Sequence, residues 1–280
     1  MLIWNGDILT EYALAGLLVL PLLSMRSFPL FVVGLGLLAL HAAGPILLYS
    51  IPWPDAATLR QHVAFANQIY SSGSFAEIWR FSLKELPLLL PLHLSVFPRT
   101  LALFLLGAFF WRVGLLKRPH EFRHSMILAI IGIAGGTAMT AAGAFGFHMG
   151  TGAFRAIESL APVVLALGYG AAVIALTQLS VTGRLLSVFA PMGRMAFTNY
   201  LMQSVIFAFI FYGYGFGQFG QMSATTALAV GIAVYIGQLL LSAWWLRCHH
   251  FGPIEWLWRT LMYGVAQPMQ RVPSHRAESA

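Results

Sequence analysis

Charge is scarce in this chain, and acidic charge is scarcest. Of its 280 residues 9% are charged, with nine Asp and Glu against sixteen Lys and Arg. A soluble domain carries roughly 25% charged residues, because its surface must be wetted. This chain has too little charge to clothe itself in water, and lipid must cover much of it. Cysteine is nearly absent as well. Cys248 stands alone, which excludes an internal disulfide and any cysteine-based zinc or iron–sulfur centre, and it reads as a small juxtamembrane filler. No Lys or Arg precedes the first apolar run, and no cleavage site of small residues follows it, so the pattern of a secretory signal is lacking. The opening residues look like the interior of a membrane protein. There is no G-x-S-x-G elbow, Walker loop or H-E-x-x-H, and no metal site is expected.

What is present is hydrophobic, at 59% of the chain. Apolar runs of spanning length fall at about Ile8–Leu23, Phe28–Tyr49, Leu94–Val113, Ser125–Phe145, Ser159–Leu179, Met195–Tyr214 and Ala224–Leu246. The expected fold is all-α, a polytopic transmembrane bundle of about seven spans forming one membrane domain over 1–280. Pro87, Pro91 and Pro98 crowd the beginning of the third span. Residues 50–86 read as an extramembrane or interfacial insert. Leu59, Val63, Ala66 and Tyr70 share one helical face, Ser74 and Glu77 have capping-box spacing, and Phe75, Ile78, Trp79 and Leu83 continue an apolar stripe. Two amphipathic helices are predicted there, on the membrane surface or capping the bundle, with a structured loop as the alternative. Residues 268–280 read as a disordered cytoplasmic tail.

The net charge of +7 does not point to nucleic acid, because the basic residues sit between apolar runs as topology signals. Seven spans put eleven of the sixteen on one side, Arg112, Lys117, Arg118 and Arg123 among them. The positive-inside rule makes that side cytoplasmic, so the C-terminus is expected in the cytoplasm and Met1 outside. Gly132, Gly136 and Thr140, with Gly168 and Ala172, give small faces suited to close helix packing. The run GYGFGQFG at 213–220 follows a membrane helix, not a strand, and so is not a nucleotide loop.

Ionisable groups inside spans are expensive and each needs a reason. Asp7 and Glu11 share a helical face and suit cation binding, proton transfer or acid–base work; alternatively Asp7 caps the helix and Glu11 pairs with an arginine. His41 lies mid-span, as helix glue or as a base. His148, Arg155 and Glu158 cluster beyond the fourth span as a site or a surface ion pair. These make His41, His148, Asp7 and Glu11 the catalytic candidates. Arg194, Thr198, Asn199, Tyr200 and Gln203 in GRMAFTNYLMQS form the densest polar cluster, for packing or for ligand contact. In FGPIEWLWRTLMYG, Gly252 and Pro253 end one helix and start another, and Glu255 and Arg259 are spaced for an i,i+4 pair. The tryptophans 244, 245, 256 and 258 suit the membrane–water interface.

Three stretches, GRMAFTNYLMQS, YGYGFGQFG and FGPIEWLWRTLMYG, together with the opening IWNGDILTEYAL, resemble the bacterial YeiB-like membrane proteins, domain of unknown function 418. The resemblance covers nearly the whole chain and is most specific in its final third. It puts Asp7, Arg194, Thr198, Asn199, Tyr200, Gln203, Gly252, Pro253, Glu255, Trp256 and Arg259 on motif positions, and implies a multi-pass protein of the bacterial inner membrane. That family is in turn similar to membrane acyltransferases, which implies acyl-coenzyme A as donor and a small-molecule acceptor. No other cofactor is evident. Typical members begin with further helices, and in the related acyltransferases the catalytic histidine lies in that early region. The resemblance therefore implies a shortened chain whose catalytic competence is in question. An acyltransferase, a small-molecule or ion transporter and a non-catalytic scaffold are all compatible with these residues. Transport would favour inverted repeats, and no internal repeat is visible. Neither substrate nor oligomeric state is legible.

Overall fold

The computed structural model describes residues 8–47, 55–114, 122–144 and 152–271. Among these residues the chain is all α-helix, with no strand and a single isolated bridge between His249 and Gln270. In chain order the helices are α1 (Leu9–Leu22), α2 (Ser27–Leu47), α3 (Ala56–Ser72), α4 (Phe75–Arg112), α5 (Phe122–Ala144), α6 (Gly152–Thr177), α7 (Ser180–Ser187), α8 (Ala190–Arg194), α9 (Ala196–Phe211), α10 (Ala224–Cys248) and α11 (Pro253–Tyr263). Five of them, within α2, α4, α5, α6 and α10, are long and apolar enough to cross a membrane. The first and sixth expected spans, α1 and α9, are apolar but shorter. At 1.5 Å per residue their 14 and 16 residues give about 21 and 24 Å, against a hydrocarbon core of about 30 Å. Large apolar side chains point outward along the long helices, including Leu128 at 62% exposed, Leu167 at 60% and Leu240 at 66%. A surface of this kind needs lipid as its solvent.

The insert differs from expectation in one respect. Its first helix, α3, stands alone, but the second is continuous with the third span as the 38-residue α4. Pro87, Pro91 and Pro98 lie inside that helix. Their spacing of four and seven residues sets all three on one face, so the hydrogen bonds they forfeit are lost along one stripe while the rest of the ladder continues. At about 57 Å, α4 far exceeds the hydrocarbon, and its amphipathic first turns lie beyond it. Ser74 and Glu77 form the capping box at its start: the Ser74 N–H donates to Glu77 Oε2 at 2.8 Å, and the Glu77 N–H donates to Ser74 Oγ at 3.4 Å. The Thr58 N–H donates to Asp55 Oδ1 at 2.7 Å, capping α3. That bond holds the Asp55 carboxyl below its ordinary range.

The described chain forms two compact units. The first comprises residues 8–58 and 82–182. Its core joins Val19 of α1, Leu30 of α2 and Leu105 of α4, with Leu37, Phe104 and Phe109 against them. Arg112 closes one end by donating to the carbonyls of Leu23 and Met25 in the α1–α2 turn. In the same unit α5 and α6 pack backbone to backbone. A Cβ at Gly132 would stand 2.6 Å from Gly168 Cα, and one at Gly168 would stand 2.6 Å from the Ile133 nitrogen. The second unit comprises residues 59–81 and 183–271. It packs Ile78 on Ala208 and Tyr212, beside Ile69, Tyr70 and Phe219. Residues 268–271, expected within the tail, run beside the end of α10: the His250 N–H donates to the Met269 carbonyl and the Arg271 N–H to the Cys248 carbonyl, each at 2.9 Å. The rest of the expected tail, 272–280, lies outside the described residues.

A paired substitution tests the α5–α6 contact. Gly132→Ala is expected to destabilise by about 1–3 kcal/mol through overpacking. Gly135→Ala, with nothing within 4 Å of its added methyl, is expected to stabilise by about 0.5–1 kcal/mol. Thermal melts of the two variants in one detergent read the difference in sign.

Candidate functional site

In the second unit the residues of the C-terminal motifs converge on the start of α9. Met195 interrupts the backbone between α8 and α9, and no local side chain caps α9. Its free N–H groups are met from 57 residues away. The amides of Phe197 and Thr198 donate to Glu255 Oε1 at 2.8 and 3.0 Å, and the Thr198 hydroxyl donates to Oε2. Thr198 Oγ1 in turn accepts the Ile254 N–H at 3.1 Å. A carboxylate on helix N–H groups also complements the helix dipole. The close approach explains Gly252, whose Cβ would overlap the Glu255 carboxylate and stand 2.7 Å from Thr198 Oγ1. Pro253 follows at the first turn of α11, where its lack of an N–H costs nothing. Both Glu255 oxygens are thus taken, and the expected Glu255–Arg259 pair does not form: the Arg259 guanidinium sits 4.7 Å from the Phe251 ring centroid. Arg194 donates to the His250 carbonyl at 3.1 Å. Trp245 and Trp256 donate to the carbonyls of Phe251 and Gln267 at 2.9 and 2.7 Å, whereas Trp244 and Trp258 are exposed.

One turn further along α9, Asn199 is 4% exposed and faces α10. Its Nδ2 donates to Ser242 Oγ at 2.9 Å, and Gln238 Nε2 donates to the Asn199 carbonyl at 2.9 Å. Gln203 and Tyr200 are half-buried. At the far end of α9 the glycine run folds back on the helix. The amides of Phe216, Gln218 and Phe219 donate to the carbonyls of Phe209, Ile210 and Phe211, which α9 would otherwise leave unpaired. Gly213 must be glycine because a Cβ there would stand 2.6–2.7 Å from the backbone of Ser72 and Gly73. Tyr212 stacks on Tyr70 with ring centroids 5.3 Å apart.

In the first unit a polar layer crosses the apolar helices. The Thr100 hydroxyl of α4 donates to Glu11 of α1. One turn before Thr100 along α4, the Ser95 carbonyl lies 2.9 Å from His41 Nδ1. A carbonyl only accepts, so Nδ1 carries a proton. Nε2 is buried and has no hydrogen-bond partner among the described residues. Next to this layer is a cavity of about 260 Å³ between α1, α4 and α6, lined by Tyr12, Arg99, Thr100, Leu103, Phe104 and residues of α6. The structure therefore brings Glu11 and His41 each onto the segment 95–100 of α4. His148 and Asp7 lie outside the described residues. Glu158 lies against Gly143, where a Cβ would overlap its carboxylate. Sequence reasoning missed Ser95, Thr100, Gln238 and Ser242. The last two were findable as a polar pair four residues apart in an otherwise apolar span. Among the described residues no three His, Cys, Asp or Glu side chains group as metal ligands do.

A family model described as protein of unknown function, DUF418, matches residues 110–265. The uncharacterised protein YxaH of Bacillus subtilis (strain 168) is 32% identical, over 96% of this chain and 69% of its own length. The uncharacterised protein YeiB of Escherichia coli (strain K12) is 29% identical, over 96% of this chain and 72% of its own. An uncharacterised 39.9 kDa protein from the amylase 3′ region of Bacillus acidopullulyticus is 35% identical over 38% of this chain and 30% of its own. No solved structure matches.

Removing the cap should be felt at once. Glu255→Ala strands two amides and a hydroxyl, and unsatisfied donors cost about 1–3 kcal/mol each, so a loss of at least about 2 kcal/mol is expected. Glu255→Gln, which keeps one acceptor, should lose less. Ser242→Ala should cost about 0.6–1.7 kcal/mol, the range of interhelical hydrogen bonds in membranes. Denaturation of the variants in matched detergent checks the order.

Proposed function

The chain belongs to the DUF418 family of proteins of unknown function, and from that premise we propose that it is a multi-pass protein of the bacterial inner membrane that transfers acyl groups from coenzyme A to a small hydroxyl-bearing acceptor, with His41 as general base. The cytoplasmic C-terminus in this reading is supported by the arginines flanking α4, α5 and α10. The observation that carries the chemistry is the state of His41. Its Nδ1–H is committed to the Ser95 carbonyl, which fixes the ring, and its Nε2 is buried and unmatched among the described residues; in the neutral ring that nitrogen carries the free lone pair. An imidazole fixed through one nitrogen and open at the other is the arrangement general-base catalysis uses.

The step balances without any further reagent. His41 Nε2 takes the hydroxyl proton of the acceptor as its oxygen attacks the thioester carbonyl. The tetrahedral centre collapses with breaking of the carbon–sulfur bond, and the departing thiolate takes that proton from the imidazolium. An ester and free coenzyme A result, and the histidine returns to its starting tautomer. Glu11, held by Thr100, stays outside the proton path.

The test is transfer of a radiolabelled acyl group from acyl-coenzyme A in proteoliposomes, with sugar acceptors. General-base catalysis contributes about 10²–10⁴-fold, so His41→Gln, whose amide can still donate to the Ser95 carbonyl, should lose at least about a hundredfold. His93→Ala should retain activity, because among the described residues that ring bonds only to the Leu89 carbonyl of its own helix. Transfer at the wild-type rate by His41→Gln would refute the role. Gradient-driven solute uptake without acyl transfer would favour the transport reading instead.

A further inference from the structure

We propose that the cavity beside the polar layer is a binding site for a single-chain anionic amphiphile, with its head on Arg99 and its chain against Leu103, Phe104 and Val163. This goes beyond acyl transfer and does not depend on it. Arg99 is half-buried and lines the cavity. Among the described residues its guanidinium meets no acceptor, although a cation inside a span is costly unless paired. The neighbouring carboxylate, Glu11, accepts from Thr100 instead. The site thus offers a fixed positive charge with five donors and nothing described to neutralise it, which suits a carboxylate or phosphate head.

The remaining wall sets the rest of the ligand. Along α4 the lining passes from Arg99 and Thr100 to Leu103 and Phe104, one helical turn on, and α6 contributes Pro162, Val163 and Ala166. The Tyr12 ring closes on the edge of Phe104 at 5.7 Å between centroids. Polarity therefore falls from charged to wholly apolar over about 5 Å, one helical turn. A volume of about 260 Å³ is below the 300–1,000 Å³ typical of enclosed small-molecule pockets. It holds a head and the first part of a chain. Tyr12 and Leu103 at its edge are 44% and 37% exposed, on helices whose outer surface faces lipid, so the chain enters from the bilayer and its far end stays there.

The experiment uses the full chain in phosphatidylcholine nanodiscs with a photoactivatable diazirine dodecanoate and no acyl-coenzyme A. Label is expected on peptides carrying Leu103–Phe104 or Val163–Ala166. Dodecanoate should displace the probe at least tenfold more effectively than dodecanol or dodecyltrimethylammonium. Inorganic phosphate at millimolar concentration should not displace it, which separates a bilayer-borne anion from a free one. Arg99→Gln should cut labelling at least tenfold. Val163→Trp, which fills the apolar end and leaves Arg99 in place, should do the same. Equal competition by dodecanol, displacement by phosphate alone, or wild-type labelling of both variants would each overturn the proposal. Because no thioester is present, any of these outcomes leaves the acyl-transfer reading to its own assay.

Discussion

A helix end inside a membrane leaves amides and carbonyls that no water can reach, and the architecture of the C-terminal unit follows from that constraint. At about 24 Å α9, with 16 residues, is shorter than a hydrocarbon core of about 30 Å. Its first amides are satisfied by Glu255 from α11, and its last carbonyls by the glycine run that follows it. Each unsatisfied group would cost several kcal/mol in lipid, so neither partner is optional. The Gly252–Pro253 step, Thr198, and Gly215, whose Cβ would overlap the Phe209 carbonyl, all follow from bringing those partners close.

The same constraint gives meaning to the groups it leaves over. Most polar atoms within the helices are matched by the protein: Thr100 with Glu11, Asn199 with Ser242, and Arg112 with the α1–α2 turn. Among the described residues His41 Nε2, Gln238 Oε1 and the Arg99 guanidinium are not matched. The carbonyl that holds His41 belongs to Ser95, four residues before Arg99 on α4. A bundle that satisfies most of its polar groups but leaves a base and a cation open in one unit has the makings of a ligand site. At the start of α9, by contrast, both Glu255 oxygens are taken by hydrogen bonds within the protein.

Much of this was legible in the residues. The scarcity of charge gives the bilayer, the apolar runs give the spans, and the spacing of Ser74 and Glu77 gives a capping box that forms with its expected partners. The small faces at Gly132 and Gly168 signal close packing, although which helix meets which is set only by the fold. Other features could not be read. Three prolines in a span's first turns look like a boundary, yet their common face lets α4 run through them. Glu255 and Arg259 have the spacing of a helical pair, but a carboxylate within reach of bare amides and a hydroxyl binds those instead, because they would otherwise go unsatisfied. Ser95 was invisible as a partner for His41 since its contribution is a backbone carbonyl, which no side-chain pattern encodes. Arg99 reads as one more costly charge until the wall opposite it is known.

The central claim is that the unmatched polar groups of the first unit mark its site, and His41 is where it can be checked most directly. Nitrogen-15 NMR of histidine-labelled protein in nanodiscs, assigned by difference from His41→Gln, reads the protonation of each ring nitrogen. The account predicts a protonated Nδ1 and an Nε2 with the shift of an unprotonated imine nitrogen that accepts no hydrogen bond. A ring protonated at Nε2, or an Nε2 already bonded to a donor in the resting protein, would contradict it.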